Sequence, residues 1–247
     1  MGELTAEKYR ELFKLRAEGK LDDMECTKRL YDILKPIYFK GMGILDVPCG
    51  VGHYYRKLRE LGDISYIGID LDSKAIEMAR EVWKDDKNSR FIVGNASKIE
   101  LGDKMMDAAC CYNLFLHIPD YKEPMRELFR VSKKYIIIRS LFDREKNINE
   151  FNAAEDYQEV YKEGVFYYNT YARKEVEEFV KGLGPCKIKF IPDNIEIPEK
   201  NLRKQEEALN VDSKEFARGE ADKKQDWKGL KLNYEVLFIE KKRKSYG

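Results

Sequence analysis

Short apolar runs alternate with segments of helical periodicity along most of this 247-residue chain. The apolar runs predict strands at 44–47, 66–69, 90–93, 108–112 and 135–140, with two more at 186–191 and 234–240. Several of the intervening segments carry apolar residues at the spacing of a helix with one buried face. Strands that alternate with helices in this way predict a parallel sheet covered on both faces.

The first apolar run leads into a turn that holds Gly50 and Gly52. Glycine lets the backbone bend sharply and leaves space where a Cβ would collide with a ligand. A strand, a glycine turn and a helix together form the adenosine-cofactor site of doubly wound α/β proteins. A dinucleotide-binding turn would carry a third glycine at position 55, which is Tyr55, and no Gly-Lys-Ser/Thr follows. Glycines that serve backbone geometry alone are the simpler alternative.

An acidic residue, Asp70, ends the second predicted strand about 20 positions beyond this turn. A carboxylate there can accept hydrogen bonds from both ribose hydroxyls of a nucleoside, and plain strand termination is the alternative. Asp72 follows as a candidate cap of the next helix. The third strand ends in Gly94-Asn95-Ala96, and the fourth ends at Tyr112 and Asn113. Strand ends of this kind lie at the carboxyl edge of the sheet, where open α/β sheets bind ligands.

These segments, in this order and at this spacing, resemble the class I S-adenosylmethionine (SAM) dependent methyltransferases over residues 41–141. The resemblance implies SAM as the cofactor and S-adenosylhomocysteine as its product. It also implies a doubly wound, mostly parallel, seven-stranded Rossmann-like sheet, whose last strand is antiparallel and inserted between the fifth and sixth. The positions that match the family's motifs imply cofactor contacts at Asp46, Cys49, Gly50, Gly52, Tyr54, Asp70, Leu71, Asn95, Ala96, Tyr112 and Asn113.

The resemblance also suggests individual roles at the cofactor site. Asp46 would organise the turn or meet the methionine amine, and Asn95, which replaces a common Asp, would accept a hydrogen bond from the adenine amine. Tyr54, Tyr112 or Phe115 could face the sulfonium, because an aromatic face attracts a cation. His53 is expected to contact SAM or solvent.

We interpret residues 1–247 as a single methyltransferase domain in four parts. Residues 1–40 form two amphipathic helices interrupted at Gly19, either a cap over the cofactor or a layer packed on the sheet. Residues 41–141 are the SAM-binding half, and 142–170 are an insertion rich in aromatic residues that suits an acceptor lid. Residues 171–247 complete the sheet and contain a charged insertion at about 198–229.

Four residues are candidates for the acceptor side. His117 is a candidate general base at the rim of the sheet, with helix capping or packing as the alternative. Arg139 could hold an anionic acceptor group or pair with a nearby carboxylate, and Tyr168 and Asn169 are candidate substrate contacts. The chain lacks the Asn/Asp-Pro-Pro-Tyr/Phe motif of base-amine methyltransferases and the Pro-Cys segment of 5-methylcytosine enzymes.

The predicted function is therefore methyl transfer to oxygen or nitrogen of a small-molecule or glycan acceptor. RNA or protein methylation is one alternative, and a non-catalytic SAM-binding subunit or sensor is another. A nicotinamide oxidoreductase is disfavoured because position 55 is not glycine.

Net charge, the length of apolar runs and cysteine spacing limit the binding partners that the sequence predicts. The net charge of +1 leaves no global electrostatic footprint for nucleic acid, and no apolar run approaches the ~18 residues of a membrane span. The N-terminal segment does not have the pattern of a secretory signal. The five cysteines have no zinc-ligand spacing, so we expect no metal and free thiols in a reducing cytoplasm. Cys110 and Cys111 should point to opposite faces of the fourth strand. The sequence leaves the oligomeric state open.

Overall fold

The computed structural model describes residues 5–152, 165–193 and 234–242. Its helices are α1 (Ala6–Ala17), α2 (Glu25–Leu34), α3 (His53–Leu58), α4 (Ser73–Val82), α5 (Lys122–Val131) and α6 (Arg173–Leu183). Its strands are β1 (Met42–Asp46), β2 (Ile64–Asp70), β3 (Ser89–Val93), β4 (Met106–Tyr112), β5 (Ser132–Asp143), β6 (Glu150–Asn152), β7 (Val165–Tyr167), β8 (Thr170–Ala172), β9 (Cys186–Pro192) and β10 (Tyr234–Lys241).

The main sheet has the strand order β3-β2-β1-β4-β5-β10-β9. Strands β1 to β5 pair in parallel, and β10 runs antiparallel between β5 and β9. The prediction of a doubly wound, mostly parallel sheet with an inserted antiparallel last strand is confirmed. This order places the carboxyl ends of β1 and β4 side by side, at the point where chain connections diverge in opposite directions.

The segment at 142–170 is more regular than the sequence pattern predicted. Strand β5 continues to Asp143, and β8 pairs in parallel with its last three residues as an eighth strand of the sheet. Strands β6 and β7 form a separate two-stranded antiparallel pair. Strands of three residues are too short to show an apolar alternation, so they escaped the sequence analysis. Residues 153–164 and the charged insertion at about 198–229 lie outside the described residues.

Alternation along the strands divides the core between the two faces of the sheet. Ile44 and Cys110 belong to the cluster beneath α2, α3 and α4, whereas Leu45 and Cys111 belong to the cluster beneath α5 and α6. The vicinal cysteines therefore point to opposite faces, as predicted from the two-residue period of a strand. All five cysteines are free thiols. Within the described ranges, no helix is long and apolar enough to cross a membrane.

The two N-terminal helices occupy different positions. Helix α2 packs on the sheet, because Leu30 and Leu34 are fully buried in the cluster beneath α3 and α4. Helix α1 ends before Gly19, whose φ of +76° favours glycine, and it lies against α3 and α4. Nε of Arg10 donates to Oδ2 of Asp72 at 2.6 Å, which ties α1 to the residue that caps α4. Helix α1 thus reaches the carboxyl edge of β2.

Candidate functional site

The glycine turn between β1 and α3 has one open face. Gly50 has a φ of +53°, and a Cβ built on it would meet nothing closer than the His53 ring at 3.8 Å. Gly52 has a φ of +76°, but a Cβ there would lie 2.7 Å from Cε1 of Phe91 and 2.8 Å from Nε1 of Trp83. The sequence analysis assigned both glycines to ligand approach. The structure leaves that role open for Gly50, whereas Gly52 is needed for packing against β3 and α4.

Asp70 joins the end of β2 to this turn. The backbone N–H of Gly50 donates to Oδ2 of Asp70 at 2.7 Å, and the backbone N–H of Asp72 donates to Oδ1 at 3.0 Å. Burial raises the pKa of Asp70, while these two hydrogen bonds oppose the rise. Each oxygen retains a second lone pair, so the fixed carboxylate can still accept hydrogen bonds from two vicinal hydroxyls.

Apolar side chains are exposed beside Asp70. Leu71 and Val93 are each 44% exposed, and Val93 lies opposite Asp70 in the pairing of β2 with β3. Ala96 is buried close by in sequence. Oδ1 of Asn95 accepts a hydrogen bond from the backbone N–H of Ser97 at 2.8 Å, so one lone pair of this oxygen already stabilises a local turn. An adenine amine would have to use the other lone pair.

Asp46 is a buried carboxyl group at the end of β1. It is 0% exposed, and the hydroxyl of Tyr66 donates to its Oδ2 at 2.7 Å. Burial raises its pKa to about 7, and the Tyr66 hydrogen bond opposes the rise. Its Oδ1 is buried and has no hydrogen-bond partner among the described residues. Such an atom is expected where a ligand supplies the missing donor. Cys49, by contrast, has a fully buried side chain that abuts Gly68.

Two of the three aromatic candidates lie together. The rings of Tyr54 and Tyr112 are 5.5 Å apart at 74°, and the Tyr54 hydroxyl lies 3.3 Å from the Cys26 sulfur. The Tyr112 hydroxyl is buried without a hydrogen-bond partner in the described part of the chain. Burial raises the pKa of Tyr112 well above its usual value, so its phenol keeps its proton at neutral pH.

Phe115 is not placed with Tyr54 and Tyr112. It is fully buried in the cluster beneath α5 and α6, where its ring contacts those of Tyr121 and Tyr171. Its assignment to the sulfonium was wrong because the turn at Leu114–His117 directs this ring into the core.

His117 ends the turn Leu114–His117, which follows β4. Its Nδ1 is 3.0 Å from the carbonyl oxygen of Tyr167. A carbonyl only accepts, so Nδ1 carries the proton in the neutral ring and Nε2 carries the lone pair. The Tyr168 hydroxyl is 3.1 Å from the Tyr234 hydroxyl, and the Tyr168 ring lies 6.2 Å from the His117 ring.

Asn169 does not face a binding surface. It is 0% exposed, its Oδ1 accepts from the backbone N–H of Asn149 at 3.1 Å, and its Nδ2 donates to the carbonyl oxygen of Ile118 at 2.7 Å. These hydrogen bonds join the insertion to the segment after β4 and favour a structural role over the predicted substrate contact. Asn169 therefore braces the segment that carries His117.

Arg139 is placed in a buried ion pair. Its Nε donates to Oδ2 of Asp193 at 2.5 Å, and its Nη1 donates to Oδ1 of Asn113 at 2.6 Å. The guanidinium carbon lies 3.7 Å from the centroid of the Tyr234 ring. Pairing of Arg139 with a carboxylate was the structural alternative in the sequence analysis. The side-chain oxygen of Asn113 already accepts a hydrogen bond from Arg139. Sequence reasoning missed Asp193, whose only signal was its acidic side chain two positions after the strand predicted at 186–191.

The cofactor named by the resemblance fits this arrangement. The backbone at Gly50 is open on one face, and Asp70 holds a carboxylate beside it. Leu71 and Val93 form an exposed apolar edge, and Asp46 has an oxygen without a hydrogen-bond partner among the described residues. A nucleoside with a charged amino-acid substituent needs these four kinds of contact. No cluster of His, Cys, Asp and Glu that could hold a metal ion occurs among residues 5–152, 165–193 and 234–242.

Residues 45–137 match the sequence family described as "Methyltransferase domain". The match covers 93 of the 247 residues, so similarity to a methyltransferase domain is shown for this part of the chain. The matched region includes the glycine turn, Asp70, Asn95, Tyr112 and His117. It excludes α1 and the residues from Arg139 onward, so the methyltransferase match says nothing of the acceptor.

Individual relatives match the same part of the methyltransferase domain. A sterol 24-C-methyltransferase of Aspergillus fumigatus is 30% identical over 97 residues, which are 38% of this chain and 26% of that protein. A demethylmenaquinone methyltransferase of Listeria welshimeri is 31% identical over 98 residues, 38% of this chain and 42% of that protein. The chain thus matches less than half the length of either relative.

The fold extends beyond the region of sequence similarity. The structure of a SAM-dependent methyltransferase from Methanosarcina mazei superimposes with a TM-score of 0.58 and 19% identity. The superposition covers 85% of this chain and 96% of that one. At this identity the likeness concerns the fold, including the strands after residue 137.

Proposed function

We propose that this protein transfers the methyl group of SAM to a small-molecule acceptor. The observation that carries the proposal is the link between Asp70 and Gly50. One short hydrogen bond fixes a carboxylate beside an open glycine face, at the edge where β1 and β4 end. The match of residues 45–137 to a methyltransferase domain supports the same conclusion.

Methyl transfer makes modest demands on the protein. The sulfonium of SAM supplies an already activated methyl group, so positioning the acceptor and excluding water provide much of the rate. Tyr54 and Tyr112 would present aromatic surface to the positive sulfur. Because Tyr112 keeps its proton, its hydroxyl is a hydrogen-bond donor rather than a base.

The acceptor would approach over the ends of β4 and β5. His117 presents the lone pair of Nε2 when its Nδ1 donates to Tyr167, which suits removal of a proton from an oxygen or nitrogen acceptor. The ion pair of Arg139 with Asp193 supplies a fixed polar wall nearby in the sheet. Sterol and demethylmenaquinone relatives carry small-molecule names, which favours such an acceptor, and a glycan has the same hydroxyl chemistry.

The proposal is tested first by binding and then by transfer. Calorimetry with S-adenosylhomocysteine should show one site, and transfer of tritium from methyl-labelled SAM should be screened over pooled hydroxyl, amine and quinol acceptors. Asp70→Ala should weaken binding, whereas Asp107→Ala is the matched control. Asp107 also accepts a backbone N–H, from Gly43 at 2.8 Å, but it lies at the opposite ends of β1 and β4. Equal losses in the two variants, or no binding to the unaltered protein, would refute the proposal.

A domain that binds SAM without transferring its methyl group is the alternative to be separated. It would bind S-adenosylhomocysteine in the same assay and remain inactive with every acceptor pool. Label that appears only in RNA or protein from a cell extract would instead favour a macromolecular acceptor.

A further inference from the structure

Three polar side chains meet where β4 and β5 end. Tyr112 pairs with Arg139 in the register of these parallel strands, and residues paired in this way present their side chains to the same face of the sheet. Tyr112 belongs to the core cluster beneath α2, α3 and α4, so Arg139 lies on that face as well. Asn113 directly follows Tyr112, and its Oδ1 accepts from Nη1 of Arg139 at 2.6 Å. We refer to Tyr112, Asn113 and Arg139 as the strand-end cluster.

The guanidinium of this cluster belongs to a set of charges with a positive excess. Oδ2 of Asp193 lies 2.5 Å from Nε of Arg139, and Oδ1 of the same carboxylate lies 3.8 Å from Nε of Arg29 on α2. Two guanidiniums thus share one carboxylate, which leaves one positive charge in excess. Arg139 is 7% exposed and Asp193 is 3% exposed, so water screens the charge of this pair poorly.

The atoms of the strand-end cluster that remain for a ligand are hydrogen-bond donors. Arg139 uses Nε on Asp193 and Nη1 on Asn113, so Nη2 remains, and a guanidinium nitrogen only donates. Because Oδ1 of Asn113 accepts from Arg139, the other end of the amide, Nδ2, also only donates. The Tyr112 hydroxyl is buried and has no hydrogen-bond partner among the described residues.

The phenol of Tyr112 is neutral and able to donate. Burial is the main cause that raises its pKa well above the usual value, while Asp193 adds to the rise and Arg139 opposes it. Both charged groups therefore lie within electrostatic reach of the phenol. A buried hydroxyl without a partner is uncommon in a folded core and points to a ligand. Three donors beside an excess positive charge suit a ligand that accepts several hydrogen bonds and carries negative charge.

We propose that the methyl acceptor carries a carboxylate, which Tyr112, Asn113 and Arg139 bind, an inference that rests on the proposed function. A carboxylate has two oxygens with about four lone-pair sites, so it accepts from all three side chains. A neutral acceptor would leave the excess charge without a counterion. His117 follows Asn113 by four positions, which places the candidate base beside this anchor. The substrate class is therefore a hydroxy- or amino-carboxylic acid that is methylated at its hydroxyl or amine.

Acceptor pairs that differ in charge but hardly in shape test the inference. Aromatic and aliphatic hydroxy- and amino-carboxylic acids are each compared with their primary amides in the transfer of tritium from methyl-labelled SAM. Acceptor concentrations well below KM make the rate report kcat/KM. At least one acid should accept the label with a kcat/KM about tenfold or more above that of its amide, as expected for charge-assisted hydrogen bonds.

Tyr112→Phe removes the hydroxyl and retains the ring. The variant should lower kcat/KM for the acid roughly 10- to 100-fold, with the loss in KM, and change the value for the amide by about threefold or less. Its affinity for S-adenosylhomocysteine and its urea midpoint should not fall, because the hydroxyl has no partner to lose in the free protein within the described ranges.

Two further variants complete the comparison. Tyr55→Phe is the matched control, because Tyr55 lies in the same core cluster but its hydroxyl donates to Asp86 at 3.0 Å. This control should keep the wild-type ratio of acid to amide. Arg29→Gln removes the excess charge and should lower that ratio roughly twofold to fivefold, as expected for a partly exposed ion pair.

Four results would overturn the inference. Equal kcat/KM for acids and amides, or binding of S-adenosylhomocysteine without transfer to any acid of the panel, would refute the carboxylate site and leave the proposed function intact. A lower urea midpoint in Tyr112→Phe with an unchanged ratio of acid to amide would show that the hydroxyl is only structural. Failure of the wild-type protein to bind S-adenosylhomocysteine would refute the proposed function together with the inference.

Discussion

The two glycines of the turn should respond in opposite ways to the same substitution. Alanine at Gly52 would place a Cβ 2.7 Å from Phe91 and 2.8 Å from Trp83, both of which are buried in the core beneath α2, α3 and α4. Alanine at Gly50 would meet only the His53 ring, at an ordinary contact distance of 3.8 Å. Gly52→Ala should therefore destabilise the fold, whereas Gly50→Ala should mainly obstruct the ligand.

The magnitudes follow from backbone conformation and packing. Both positions have positive φ, and a left-handed conformation costs an L-residue about 1–2 kcal/mol. Gly52→Ala adds about 1–3 kcal/mol of overpacking. It also disturbs the hydrogen bond from Nε1 of Trp83 to the carbonyl of Val51, which contributes about 1 kcal/mol. The expected loss of unfolding free energy is about 3–5 kcal/mol for Gly52→Ala and about 1–2 kcal/mol for Gly50→Ala.

Urea unfolding followed by circular dichroism measures the first quantity, and calorimetric titration with S-adenosylhomocysteine measures the second. Gly50→Ala should remain folded at 25 °C and bind the ligand at least about tenfold more weakly, since the steric overlap that the new Cβ introduces costs about 1–3 kcal/mol. Gly52→Ala, where enough of it remains folded, should bind with an affinity close to wild type. Equal stability losses in the two variants, or unaltered affinity in Gly50→Ala, would refute the reasoning.

Three further substitutions test the cofactor and acceptor sides. Asp70→Ala should weaken binding of S-adenosylhomocysteine by about 1–3 kcal/mol, because ribose hydroxyls lose their acceptor, and unchanged affinity in a folded variant would contradict the ribose role. His117→Ala should lower the transfer rate by roughly 10²- to 10⁴-fold with SAM affinity retained, whereas parallel loss of both would mark His117 as scaffolding. Burial raises the pKa of Asp46 to about 7, so its contribution to stability is complete below about pH 4 and is lost as the pH rises through about 7. Asp46→Asn should remove this fall, up to about 4 kcal/mol between pH 4 and 8, in urea unfolding of the free protein. A variant with the same pH dependence as wild type would show that Asp46 does not titrate in this range.

Local signals were sufficient for the parts of the fold that depend on neighbouring residues. The short apolar runs predicted strands β1 to β5. Asp72 caps α4 by accepting hydrogen bonds from the backbone N–H groups of Lys74 and Ala75. The stop at Gly19 follows from a positive φ that other residues rarely adopt. The glycine turn and Asp70 were found for the same reason, because strand, turn and strand end lie within one short segment.

Contacts between distant segments were beyond this reasoning. Arg139 and Asp193 are 54 positions apart, and no local pattern tells which acidic residue an arginine on a strand will meet. Asn169 was assigned to substrate from its place in an aromatic segment, but its burial depends on the backbone of Asn149 and Ile118. The burial of Arg16 on α1 was overlooked because a charged residue on an amphipathic helix normally faces solvent.

Buried polar groups with unsatisfied atoms lie on β1, α3 and β4. Asp46, His53 and Tyr112 are all buried, and each has at least one polar atom without a hydrogen bond among the described residues. In a core selected for stability alone, apolar side chains of similar shape would be preferable, because each unsatisfied buried group costs about 1–3 kcal/mol. Asp46 ends the strand that leads into Gly50 and His53 begins the helix that follows it, so a polar ligand bound at this turn would restore hydrogen bonds that the free protein lacks.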